Sequence, residues 1–230
     1  MSDHHVPARP TITGAGAPTA STAFPVATTT ATLLGQVMTL VAVALGFLTI
    51  GSFLGRELSN GVGLLCSFGA FGMLLVQAFG GTRFRTGDLA IGWLFAIALV
   101  LGLGLGRVLM YYASMQPGVI TQAALTTALV VAAMAGIGLL VGRDLVGWLR
   151  PLTFVVLGLV LASLVLALLG DAGHPLISLA IGGVSALLLV VDFNYLRKHG
   201  TEDDVVLLAT GIFVSIVNIF LSLLDLFSRD

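Results

Sequence analysis

The chain has 230 residues, 57% of them apolar and only 9% charged, with a formal net charge of −1. An average soluble domain is about one-quarter charged, so ten basic and eleven acidic side chains are too few to cover a water-facing surface. A mean hydropathy of +1.09 implies an exterior that faces lipid, and the absence of a basic excess or basic cluster argues against nucleic acid as a partner.

Residues 1–30, MSDHHVPARPTITGAGAPTASTAFPVATTT, are rich in Pro, Ala, Thr and Gly and show no helical period. They lack the basic segment followed at once by an apolar core that marks a cleaved signal. They read as a disordered tail in front of a transmembrane domain of residues 31–230. His4 and His5 lie in that tail without nearby Cys, Asp or Glu ligands, so no metal site is expected there.

A spanning helix needs about 20 mainly apolar residues. Seven such runs follow, at 32–54, 61–80, 89–110, 119–141, 152–170, 175–196 and 205–227. Continuous runs of this length argue for helices over the alternating strands of a barrel. The expected fold is therefore all-α: a polytopic bundle of seven transmembrane helices. Cys66 sits alone inside the second run and reads as packing. Gly102, Gly104 and Gly106 in the third run, Gly136 and Gly138 in the fourth, and Gly182 and Gly183 in the sixth predict close helix approach. The GLGLG stretch has no preceding strand, which argues against a nucleotide loop.

Positive charge is retained on the cytoplasmic side of short loops. Arg9, Arg83, Arg85, Arg143, Arg150, Arg197 and Lys198 fall on the side of the N-terminus, against Arg56, Arg107 and Arg229 opposite. A bacterial inner-membrane protein is expected, with a cytoplasmic N-terminus and a C-terminus in the periplasm or outside the cell. The bilayer is its first partner.

An ionisable group inside a span is disfavoured by roughly 2.5–3.5 kcal/mol on insertion scales, so each is a candidate for function. Asp192 is one, about a helical turn before Arg197 and Lys198 in the sixth run; the duller reading is an anchor that snorkels to the interface. In the seventh run, Gly211, Ser215, Asn218, Ser222 and Asp225 recur every three or four residues and form a polar stripe on one helix face. Such a stripe turns inward, which makes the last helix central and lets it meet Asp192; interhelical hydrogen bonding is the alternative use. Arg83 and Arg85 are candidates to pair with an acid across the cytoplasmic face, or simply set topology. Glu202, Asp203 and Asp204 suit the start of the following helix. No catalytic motif or ligand-spaced Cys or His pair appears in the sequence, so neither enzymatic activity nor a bound cofactor is expected.

The segment VVDFNYLRKHGTEDDVVLLATGIFVSIVNIFLSLLDLF resembles the final two helices of the Bax inhibitor-1 family, and GVITQAALTTALVVAAMAGIGLLVGRDL resembles its fourth helix. In the family a YD pair ends the sixth helix and an acidic turn leads to LYLDxINLF. Asp192 takes the place of the first family aspartate, Thr201, Glu202 and Asp203 match the turn, and VNIF replaces INLF. The resemblance implies a pH-sensitive calcium leak, in which two aspartates share a proton and exchange ion pairs with an arginine on the second helix. Arg83 is nearest to that arginine.

The second family aspartate falls on Ser215. Two carboxylates in contact raise one another's proton affinity, and a lone carboxylate lacks that mutual effect. An altered gate is expected, with Asp192, Ser215, Asn218 and Arg83 as its residues and Ser222 and Asp225 as a secondary stripe. Ca2+ is then a transported ion, not a resident cofactor. Some bacterial relatives instead modulate an FtsH-type membrane AAA protease through an N-terminal tail, and the resemblance extends that partner to residues 1–30.

Overall fold

The computed structural model describes residues 29–170 and 174–229. Residues 1–28, nearly all of the expected tail with His4, His5 and Arg9, lie outside the described residues. The seven apolar runs form seven helices: α1 (Thr30–Gly55), α2 (Asn60–Phe79), α3 (Gly87–Met115), α4 (Pro117–Leu140), α5 (Val146–Leu168), α6 (Pro175–His199) and α7 (Val205–Phe227). Each is long and apolar enough to cross a membrane, and no strand occurs among the described residues.

Local chemistry sets the helix starts. Thr29 and Ser59 accept the amides of Thr32 (3.3 Å) and Val62 (3.4 Å) at the heads of α1 and α2. Pro117 and Pro175 open α4 and α6, where a missing N–H has no consequence. Before α7, Thr201 and Asp204 form a capping box, with the Thr201 amide 3.1 Å and its hydroxyl 2.7 Å from Asp204 Oδ2. Capping is thus the observed role of Asp204, from the acidic turn.

The largest boundary differences from the sequence reading are at the end of α3, which continues past residue 110 to Met115, and at the start of α5. α5 begins at Val146, so Trp148, Arg150 and Pro151 belong to the helix and not to a loop ending at 151. Pro151 lies close enough to the helix start that only the Gly147 carbonyl loses its ladder partner.

α7 is the most buried helix: 61% of its most apolar window is inside the protein, against 6% for α5. It packs on α6, α4 and α1, and Ile212 and Phe213 are fully enclosed with Leu189 and Phe193 of α6. The last helix is central, as the polar stripe implies. α5 keeps only Val156 buried and leans on α6 and α2.

α3 is gripped on two sides by glycine. A methyl group on Gly102 or Gly106 would strike the carbonyls of Leu48 or Ser52 in α1, and one on Gly51 or Gly55 would strike those of Leu99 or Leu103 in α3. Gly104, on the opposite face, meets Ser67 of α2. The alternating GLGLG spacing therefore serves two neighbours, and dispersion between backbones replaces the hydrophobic drive that lipid cannot supply.

Candidate functional site

Asp192 lies on the buried face of α6, in register with Ser185, Leu188, Leu189 and Leu196. It is 6% exposed. Its carboxylate points at Gly211 of α7, and a Cβ placed there would stand 3.4 Å from Oδ2. The glycine leaves room for the acid. No hydrogen bond or ion pair reaches the Asp192 carboxylate among the described residues, an unusual state for a buried charged group.

Instead, Asp192 opens onto a cavity of about 570 Å³ between α2, α5, α6 and α7. Gln77, Thr210, Ser215 and Asn218 share the wall, with Arg85, Arg150 and Asp204 at the ends of the helices. Gln77 Nε2 donates to Thr210 Oγ1 (2.9 Å), and the Thr210 hydroxyl donates to Val206 O (2.8 Å). At the deep end Asn218 Nδ2 donates to Ser185 Oγ (3.3 Å). Leu, Val and Phe side chains make up much of the remaining wall.

The polar stripe of α7 divides. Gly211, Ser215 and Asn218 face the cavity with Asp192. Ser222 packs under Gly182 of α6, and Asp225 pairs with Arg229 at 3.1 Å. Ten residues separate Ser215 from Asp225, about 15 Å of helix, so Asp225 and Asp192 do not meet.

Arg83 is exposed in the 3-10 turn Thr82–Phe84 and does not line the cavity. Arg85 does. Gly81 and Gly87, at φ 85° and 80°, bend the chain on either side of this turn. Phe84 packs edge-on against Trp93 (4.9 Å), whose Nε1 donates to Met73 O (3.1 Å). The turn brings Arg85 back over the end of α2, where it donates to the carbonyls of Gln77 (3.4 Å) and Ala78. It thus caps a helix C-terminus, where a cation is favoured.

Gln77 and Asn194 are absent from the sequence-based site. Each is an uncharged amide within an apolar run, so an argument restricted to ionisable groups passes over both. Asn194, fully buried, places its Nδ2 within 3.2–3.3 Å of the carbonyls of Gly138, Val141 and Arg143, and its Oδ1 accepts the Leu145 amide at 3.0 Å. Arg197 donates to Val141 O (2.5 Å), Lys198 to Gly142 O, and His199 Nε2 lies 2.7 Å from Asp144 Oδ2. The end of α6 thereby holds the α4–α5 connection, and with it Leu149 and Arg150 of the cavity wall. Among the described residues no three His, Cys, Asp or Glu side chains gather as a metal cluster.

A seven-helix integral membrane protein with one buried acid facing the central helix is what these residues build. The family whose description reads "Inhibitor of apoptosis-promoting Bax1" matches residues 30–230; the chain belongs to the Bax inhibitor-1 family and is a multi-pass membrane protein. An uncharacterized Pseudomonas aeruginosa protein, PA2604, is 34% identical over 143 residues, which cover 58% of this chain and 61% of that protein's length.

Proposed function

We propose that the protein is a cation leak of the bacterial inner membrane, with calcium as the physiological ion and Asp192 as the group that governs passage. The observation that carries the reading is a carboxylate without a partner, enclosed by α6 and α7 at the inner part of a cavity. The cavity mouth shares its side with Arg83, Arg85, Arg143, Arg150, Arg197 and Lys198. The positive-inside rule places that side in the cytoplasm and the C-terminus in the periplasm. With Ser215 in place of a second acid, the gate holds a single carboxylate and lacks the mutual effect of a pair.

The test is calcium flux into proteoliposomes at pH 6, 7 and 8, comparing the parent with Asp192→Asn and Ser215→Asp. Flux lost in the first variant and made strongly pH-dependent in the second supports the reading. Parent vesicles no leakier than empty ones sink it.

A second reading has its own observation: the family match begins at residue 30, leaving the preceding segment outside it. On that reading the segment is a handle for an FtsH-type membrane protease. Deleting residues 2–28 lengthens the protein's cellular half-life if so, and leaves both half-life and flux unchanged if the leak is the sole activity.

A further inference from the structure

Apart from the Asp192 cavity, a groove of about 590 Å³ lies between α1, α4 and α7, with Phe193 of α6 at one end. α1 and α4 scarcely touch, and Ala124, Ala128 and Ala132, which share one face of α4, line the groove and stay exposed. Of the lining side chains only Thr127 is polar, and its hydroxyl gives its proton to Ala123 O (2.7 Å). Water entering the groove would find no partner, and an empty groove would forfeit the dispersion its walls can gain. Hydrocarbon meets both conditions.

Length and charge narrow the kind of hydrocarbon. Leu34 and Leu48 of α1 both line the groove, and their separation is about 21 Å of helix, more than the ~15 Å that one leaflet of a bilayer gives to a chain. The end marked by Leu34, Leu139 and Phe193 carries three cations. Arg143 is exposed just beyond Leu139, and its carbonyl is bound by Asn194, next to Phe193. Arg197, one turn after Phe193, reaches Val141 O (2.5 Å), and Lys198 reaches Gly142 O. Among the described residues none of the three pairs with a carboxylate. Of the acids at this end, Asp144 is paired with His199 (2.7 Å) and Asp204 is held in its capping box. Glu202 and Asp203 stand exposed before α7, which joins the groove only from Ile216 onward.

We infer that the groove between α1, α4 and α7 holds one acyl chain of a phospholipid, laid along the alanine face of α4, with the lipid's phosphate at the Arg143 end. The site involves neither Asp192 nor the passage of an ion, so it stands or falls apart from the leak.

In the experiment the purified full chain in detergent is equilibrated with dipalmitoyl phosphatidylglycerol or with dipalmitoylglycerol, which has the same chains and no phosphate. The lipid that passes through gel filtration with the protein is then quantified. Phosphatidylglycerol is expected to be retained several-fold better than the diacylglycerol. Ala128→Trp, which fills the groove, lowers retention several-fold, and Leu129→Trp, at an exposed position outside the groove, leaves it unchanged. Ala132→Phe repeats the block with a smaller ring, and a thermal midpoint equal to the parent's shows that the fold is kept. Arg143→Gln weakens retention of phosphatidylglycerol and not that of the diacylglycerol. Equal retention by the parent and both blocked variants, or equal retention of the two lipids, overturns the inference. So does a dimer that Ala128→Trp dissociates, which would assign the groove to a second copy of the chain.

Discussion

Gly211 of α7 stands directly across from Asp192 of α6, close enough that a methyl group there would touch Oδ2 at 3.4 Å. That separation is ordinary van der Waals contact, so Gly211→Ala is expected to fold normally and gain up to about 1 kcal/mol of helix propensity. Gly211→Leu fills the space in front of the carboxylate. Its flux in vesicles should fall well below that of Gly211→Ala, and equal flux from the two would separate Asp192 from the path.

The α1–α3 contact makes a sharper stability prediction. Gly51→Ala or Gly102→Ala drives a methyl into backbone, which cannot turn aside as a side chain can; a loss of about 1–3 kcal/mol is expected. Gly46→Ala and Gly92→Ala meet nothing within 4 Å in the same two helices and should be neutral or stabilising. Thermal unfolding in detergent distinguishes the pairs.

Asn194→Leu removes the side chain that joins the end of α6 to the α4–α5 connection. Hydrogen bonds of this kind contribute about 1 kcal/mol each, and water replaces some of them at a helix end, so a loss of about 2 kcal/mol is expected. Amide exchange of residues 141–146 should accelerate more than that of α1 or α3.

At the same connection, the Val146 amide and then His199 hold the Asp144 carboxyl below its ordinary range. A folded pKa lower than the unfolded value makes a contribution that is full above the unfolded value, about 3.9, and is lost as pH falls through the folded one. Exchange of residues 141–146 should therefore rise as pH is lowered from 5 to 2.5, after correction for intrinsic rates. Asp144→Asn should flatten that dependence; an unchanged profile would assign the effect to another group.

Arg150 lines the cavity mouth and is exposed. Reversing its charge in Arg150→Glu should raise cation flux at low ionic strength, and the gain should shrink at 0.5 M salt, where charges are screened over a few ångströms.

The seven helices were legible because a bilayer demands length and apolarity from each span, and both are properties of a segment alone. The inward turn of α7 was legible from the spacing of Ser215, Asn218 and Ser222. The pairing of Gly102 and Gly106 with Gly51 and Gly55 was not, since small residues announce a close contact without naming the neighbour. Nor could sequence separate Arg83 from Arg85: both are loop arginines, and only the bend between Gly81 and Gly87 decides which one returns to the helix end. Gln77 went unnoticed because it carries no charge, although its partner Thr210 belongs to the same central helix as the stripe.

The bond between Gln77 and Thr210 spans 133 positions, and a ribosome adds about 5–20 residues per second. For several seconds at least, the growing chain therefore holds the Gln77 amide in its second helix before the hydroxyl that receives it has been synthesised. Over that interval the side chain must be sheltered by the translocation machinery, by trapped water or by a temporary neighbour. Arrival of α7 thus does more than complete the bundle: it is the step at which the Gln77 Nε2 donor of the second helix gains its native acceptor.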